Sequence, residues 1–349
     1  MGEAAAIDRT IWWEEDDVVV LDQTQLPHTE RTVRWRTVAD AAAGIATMQV
    51  RGAPLIGVAA AHGMALAMQR DPARLDPPHR QLAATRPTAV NLRWALDRVR
   101  RSLSDIEVDK RAAAARELAV AMTEEDVAAC RRIAEAGLPL LQDLHDEHDR
   151  PVNVLTHCNA GWLACVEWGT ATAPIYLAHQ QGVPVHVWVS ETRPRNQGAS
   201  LTAWELGHRG VTHTVVVDNA AGHLLQHGLV DVVITGADRV AANGDAANKI
   251  GTYLKAVAAA DTGVPFYIAA PASTFDPDCA DGAAVPIEER ATEEVLQFAD
   301  RAIAPAETPA RNWGFDVTPS KLITGYITDR GVLNGRELGA VLDVESLRG

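Results

Sequence analysis

Residues 152–161 read VNVLTHCNAG. A short apolar run ends in Thr156 and His157, then delivers a thiol, an amide and a glycine. Similar runs recur downstream: VPVHVWVS (183–190), THTVVVD (212–218), VDVVITG (230–236), VPFYIAA (264–270) and LITGYIT (322–328). Segments of helical character separate most of them, at 168–181, 201–209, 248–260 and 289–298. Continuous branched strands alternating with helices imply a parallel sheet covered on both faces, so the fold class is α/β. Ligands of such sheets sit beyond the carboxyl ends of the strands. Those ends carry His157-Cys158-Asn159, Glu191-Thr192-Arg193, Asp218-Asn219, Asp238-Arg239 and Pro271, the residue types that chemistry on a polar substrate needs.

The first half has a different rhythm. One short strand is expected in VVVLDQTQLP (18–27), followed by helices at 38–48, 57–70 and 89–103. The stretch 109–144 reads as two helices, the second starting near Thr123 with acidic residues in its first turn. The charged, proline-ended HDEHDRP (145–151) marks a boundary. A mainly helical N-terminal domain, 1–147, and a parallel-sheet α/β domain, 148–349, are therefore expected. A chain of 349 residues suits two domains at roughly 100–200 residues each.

The net charge of −14 argues against nonspecific binding to nucleic acid or an anionic membrane. It leaves room for a small anion held by a few arginines. The four cysteines, Cys130, Cys158, Cys165 and Cys279, include no CxxC, which argues against a disulfide framework or a structural zinc site. No apolar run approaches the roughly 20 residues of a membrane span, and no signal pattern opens the chain, so a reducing cytoplasm is expected. Neither GxGxxG nor GxxxxGK[ST] occurs, so no nucleotide cofactor is indicated.

Cys158, at a strand exit before Asn-Ala-Gly, can serve as nucleophile or as proton donor and acceptor; the bland alternative is a small buried hydrophobe, the reading given to the other three cysteines. Asp238 follows an apolar strand and a Gly-Ala step, a setting for a carboxyl that holds and returns a proton, or for a cap or a salt bridge with Arg239. Asn248 and Lys249 are expected where a helix begins, where an amide, an ammonium and free N–H groups suit an anionic oxygen. Arg51 precedes Gly52-Ala53-Pro54, a turn with open N–H groups. Arg86 stands before a helix opened by Pro87. Two arginines beside helix starts can cradle phosphate, though each alone is more often a surface ion pair. Gln197, in the loop of SETRPRNQGASLTAWEL (190–206), can bond sugar hydroxyls.

Taken together, VRGAPLIGVAAAHG, TRPTAVNLRWAL, THCNAG, ETRPRNQGASLTAWEL, TGADRVAANGDAANKIGTY, PFYIAAPASTFD and VPIEER resemble the methylthioribose-1-phosphate isomerase family. That family shares a superfamily with ribose-1,5-bisphosphate isomerases and the regulatory subunits of initiation factor 2B. The resemblance runs from residue 19 to residue 333, nearly the whole chain. It implies a helical N-terminal domain, a Rossmann-like C-terminal domain, a homodimer and an aldose–ketose isomerisation in methionine salvage without metal or nucleotide. It implies Cys158 and Asp238 as the catalytic pair, and Arg51, Gly52, Ala53, Arg86, Gln197, Asn248 and Lys249 as substrate-binding residues. Two stretches depart from the family pattern, NWGFD (312–316) and EWGTATAPIYLAHQQG (167–182), and both bear on the end of the pocket that receives the 5-substituent. Other pentose 1-phosphates, a non-enzymatic sugar-phosphate or nucleotide sensor, and a cysteine hydrolase are the competing readings. The last is disfavoured because His157, adjacent to Cys158 in a strand, points its ring away from the thiol.

Overall fold

The computed structural model describes residues 9–86, 90–298, 301–335 and 337–338. It opens with an antiparallel sheet of β1 (Ile11–Glu14), β2 (Asp17–Leu21) and β3 (Thr32–Trp35). Only β2, the buried middle strand, carries the run of branched residues that marks a strand in the sequence. Its partners IWWE and TVRW are half exposed and show no such run.

Helices α1 (Val38–Ala46), α2 (Ala53–Arg70), α3 (Asp76–Ala83), α4 (Val90–Ser104) and α5 (Arg111–His148) follow. The expected Pro87 helix start falls on residues outside those described. Fifteen of the 18 residues of α2 are buried. Its alanines and glycines let α1, α4 and α5 close around it. The expected break near Thr123 does not occur, because α5 runs unbroken for 38 residues. The Thr123 hydroxyl bonds back to the Ala119 carbonyl at 2.8 Å instead of capping a new helix. The acidic residues after it serve tertiary partners: Glu124 takes Arg9, Glu125 takes Arg98, and Asp126 accepts the Val166 N–H at 2.8 Å.

Beyond α5 the chain alternates: β4 (Val152–His157), α6 (Ala173–Gln180), β5 (Val185–Ser190), α7 (Ala203–His208), β6 (His213–Val216), α8 (Ala220–Gln226) and β7 (Val232–Thr235). Then come β8 (Arg239–Ala241), β9 (Ala246–Lys249), α9 (Thr252–Thr262), β10 (Phe266–Ala269) and β11 (Phe275–Asp276). The described part closes with α10 (Glu293–Leu296), β12 (Gln297–Phe298), β13 (Arg301–Ala302), β14 (Phe315–Thr318), β15 (Gly325–Thr328) and β16 (Gly331–Leu333). Among the described residues the main sheet has the order β16-β15-β10-β7-β4-β5-β6. Every neighbouring pair in it is parallel except β15 with β16. From β4 the chain moves outward through β5 and β6, then returns to β7 and moves the other way through β10 and β15. The direction reverses between β4 and β7, and that reversal opens a crevice beyond their carboxyl ends.

Three helical expectations are corrected. Asn248 and Lys249 end strand β9, where they pair with Asp316 and Phe315 of β14. The helix starts later, at Thr252, because Gly251 and Tyr253 donate their N–H groups to the Asp316 carboxylate, 2.7 and 3.2 Å away, and this cap comes from far along the chain. In 168–181 the helix begins only at Ala173, since Trp168 and Gly169 take φ values of 65° and 82°. In 289–298 only α10 is helical: the chain around Arg290 is pinned in extended form, with its N–H on the Asn312 carbonyl at 2.8 Å.

Candidate active site

The crevice at the β4/β7 reversal is a cleft of about 630 Å³, open solvent at its mouth included. Arg51, Gly52, Ala53, Arg86, Cys158, Gln197, Asp238, Asn248 and Lys249 all line it. They come from six separate stretches of sequence. Cys158 is the first residue after β4, and Gly236-Ala237-Asp238 leave β7, so the two strands flanking the reversal supply the thiol and the carboxylate.

Cys158 is held in a backbone conformation that L-residues rarely adopt, with φ at 65°. Its N–H donates to the Thr192 hydroxyl at 2.8 Å, and its carbonyl accepts from the Thr202 hydroxyl at 2.6 Å. Thr192 is itself left-handed, φ 68°, which a β-branched side chain resists. Asp218 holds it there by accepting the N–H groups of Thr192 and Arg193 at 2.8 and 2.7 Å. Two strained residues bonded to each other and over-determined by their surroundings are a mark of a functional site. Burial pushes the Cys158 thiol above its ordinary value, while Arg51 and Lys249 pull it down. His157 turns away from the thiol: its Nε2 meets the Ile250 carbonyl at 2.8 Å, and burial lowers it to about 3. A Cys–His dyad of neighbours is thereby ruled out.

Asp238 has an apolar side, where Ile56, Ala247, Val285, Pro286, Ile287 and Phe315 line the adjoining cavity. It is half buried and shares the cleft with four cations: Arg51, Arg86, Lys249 and Arg290. It makes no pair with Arg239, whose Nη1 lies 3.3 Å from Asp276. Lys249 is buried, donates to the Gly314 carbonyl at 2.8 Å and lies 4.5 Å from the Phe315 ring centre. Burial lowers Lys249, Cys158 and Asp238 raise it, and Arg290 and Arg86 lower it further. Burial also lowers Arg86, whose Nε has no partner. Arg290 Nε and Gln197 Oε1 are likewise buried without a partner. A molecule bearing an anion and hydroxyls would answer all of them.

Gly52, N-terminal to α2, has φ 99° and offers no side-chain cap, so the first N–H groups of α2 remain available at the cleft wall. A Cβ on it would stand 2.5 Å from the Ala164 backbone. Asn248 donates to the Thr252 hydroxyl at 3.0 Å.

Sequence reasoning gave Arg290 no role, and named Asn159 only at a strand exit and Phe315 only within NWGFD. Arg290 closes the quoted VPIEER, but a lone arginine in an irregular stretch carries no local signal. Asn159 accepts both Arg51 prongs, on its side-chain oxygen and, at 2.7 Å, on its carbonyl. Apolar wall comes from Met48, Pro54, Ala164, Pro271 and Phe315.

Away from the cleft, Asp126, Cys130 and Cys165 place their donor atoms within 4.8 Å of one another. Both thiols are sealed from solvent, and the carboxylate already accepts the Val166 N–H. Burial raises Asp126 to about 7. Cys279 is also buried, so all four thiols are free and buried.

A doubly wound sheet with a thiol, a carboxylate and four cations converging at its reversal point defines an α/β enzyme acting on a small phosphorylated molecule. The chain belongs to the initiation factor 2 subunit family, which matches residues 49–335, and within it to the methylthioribose-1-phosphate isomerases. The methylthioribose-1-phosphate isomerase of Rhodospirillum centenum is 56% identical over 346 residues, covering 95% of this chain and 92% of the relative. That of Methylorubrum extorquens is 55% identical over 345 residues, covering 95% and 94%. The solved 5-methylthioribose 1-phosphate isomerase from Pyrococcus horikoshii superposes with a TM-score of 0.87 at 40% identity, covering 96% of each chain. The subunit delta of translation initiation factor eIF-2B from A. fulgidus gives 0.81 at 38%, covering 96% of this chain and 99% of that one.

Proposed function

We propose that this chain converts 5-methylthioribose 1-phosphate to 5-methylthioribulose 1-phosphate, as an aldose–ketose isomerase. The observation that carries this reading is the convergence of Cys158, Asp238 and four cations at the sheet reversal, in a chain more than half identical to enzymes of that name.

The anomeric oxygen of such a substrate carries phosphate, so its furanose ring cannot open as a free aldose does. The enzyme must assist ring opening and then move hydrogen from C2 to C1. Asp238 protonates the ring oxygen as Cys158 removes the C2 proton; Cys158 then returns a proton to C1 while Asp238 takes the proton of the C2 hydroxyl as the carbonyl forms. Arg51, Arg86, Lys249 and Arg290 hold the phosphate with the N–H groups that open α2, Gln197 and Asn248 bond the hydroxyls, and Gly52 and Ala53 let the sugar approach the backbone. The apolar wall of Met48, Pro54 and Phe315 suits a thioether. Solvent deuterium appearing at C1 supports proton transfer, and complete retention of the C2 hydrogen means a hydride shift instead.

The test is phosphorus NMR of the purified protein with methylthioribose 1-phosphate, beside Cys158→Ser and Asp238→Asn. Conversion by the wild type and near-loss in both variants is expected. The fourth cation, Arg290, gives ribose 1,5-bisphosphate a place in the same assay as a competing substrate. Binding of either sugar without conversion would favour a sensor.

The reading carries with it a place in methionine salvage, a cytoplasmic setting, division of the chain near residue 148, and a homodimer. Supporting the last, α9 exposes Tyr253, Leu254 and Val257, an apolar face that a second copy would cover.

A further inference from the structure

Behind the cleft lies a carboxyl with no place in the chemistry above. Glu205, on α7, is 0% exposed. Its Oε2 accepts the Leu163 N–H at 3.2 Å, and its Oε1 has no hydrogen-bond partner. Gly161 makes the room: a Cβ there would stand 1.3 Å from Oε1. The Asn159 amide also faces this carboxyl.

Asn159 is the hinge of the argument. It is 3% exposed, and its Nδ2 donates to the Thr202 hydroxyl at 3.1 Å. Its other amide hydrogen is directed to the Glu205 carboxyl. Acceptors on that side fix the amide so that its oxygen meets the Arg51 guanidinium. Arg51 in turn faces the cleft. A chain of contacts therefore runs from Glu205 through Asn159 to an anion-holding arginine.

We propose that Glu205 is a positioning residue for the anion subsite: through the Asn159 amide it sets the Arg51 guanidinium, and its ionisation weakens the hold on phosphate. The inference deepens the isomerase reading and rests on it for the identity of the anion's carrier. Burial raises Glu205 to about 7, with Leu163, Asn159, Arg51 and Tyr176 each lowering it. Facing it are Arg51 from the loop before α2, Cys165 from the turn after β4, and Tyr176 on α6, beyond which stands Arg209. None of the others adds negative charge near neutrality, since burial raises the thiol and the phenol. Above neutrality the carboxylate both offsets the Arg51 charge and draws the Asn159–Arg51 pair tighter, away from the cleft. Both effects act in the same direction.

The test is calorimetric titration of inorganic phosphate into wild type and Glu205→Gln from pH 6 to pH 8.5, with kcat and KM for the sugar phosphate alongside. Glutamine keeps the acceptor and the shape and removes the charge. Phosphate's own ionisation is common to both proteins and cancels in the ratio. The two affinities are expected to agree at pH 6 and to differ by up to about tenfold at pH 8.5, the wild type being weaker. KM should follow the same ratio while kcat stays close. An affinity ratio that is constant with pH overturns the proposal. If Glu205→Gln does not fold, Asn159→Ala breaks the relay and should reduce the pH dependence of the wild type to what direct charge offset leaves; an undiminished pH dependence overturns the proposal equally. The phosphate arm needs no turnover, so failure of the isomerase reading and failure of this one are separable.

Discussion

Replacing Gly52 by alanine tests whether the cleft depends on one close backbone approach. Gly52 has φ 99° and ψ 140°, a region almost reserved for glycine, and any other residue costs about 1–3 kcal/mol there. The new methyl would also stand 2.5 Å from three atoms of Ala164: its Cα, Cβ and carbonyl oxygen. None of these can rotate away. Ordinary carbon contacts lie at about 3.5–4.0 Å, so the two segments must part by about 1 Å, at an overpacking cost of about 1–3 kcal/mol. The summed loss is about 2–6 kcal/mol. Arg51, Ala53 and Ala164 line the cleft on either side of the contact, and a shift of that size costs about 100-fold in turnover. Gly263→Ala is the control: φ there is 75° and nothing lies within 4 Å of the added carbon. It should lose about 1–2 kcal/mol and no activity. Urea denaturation and kcat/KM of both variants decide the matter. Equal stability and equal activity in the two proteins would refute the reasoning.

Three further outcomes follow from the same geometry. Arg290→Ala removes a cation whose buried Nε has no partner among the described residues; KM should rise roughly 10- to 100-fold, given about 1.5–3 kcal/mol for a charged hydrogen bond, and an unchanged KM would remove Arg290 from the site. If Cys158 is the base, its thiol must first ionise. Burial raises it, so the thiolate fraction grows as pH rises through neutrality and kcat/KM must climb with it. A flat or falling limb between pH 6.5 and 8.5 would take the base role from Cys158. Leu254, 63% exposed on α9, is the most exposed residue of that apolar face; Leu254→Glu should convert a dimer to monomer in light scattering, and an unchanged mass would place any interface elsewhere.

The parallel sheet was legible because its strands carry a local signal. VNVLTH and VPVHVWVS are rich in branched apolar residues, and both appear as strands paired over six residues. The expectation that ligands sit at the strand ends needed no coordinates either, and it led to Cys158 and Asp238. The misreadings share one cause: a distant segment replaced the local preference. Thr123 resembles a cap but sits inside α5 because its hydroxyl finds the Ala119 carbonyl. Asn248 and Lys249 resemble a helix start but are drawn into a strand by β14, and the cap that really opens α9 is Asp316, from that same strand. Strand β1 escaped notice because Trp12 and Trp13 are only half buried and its partner is what makes it a strand.

By itself the sequence determined the α/β alternation, the helical first half and the thiol and carboxylate at strand exits, because apolar runs and their breaks act over a few residues. Only the tertiary structure decided that Arg51, Arg86, Lys249 and Arg290 face one cleft, that Asn159 braces Arg51, and that Glu205 lies sealed behind both. Those facts depend on strand order and on the register of β9 with β14, which join residues far apart in the chain. Coulomb interaction and burial act across space, so the chemistry of the site is set there.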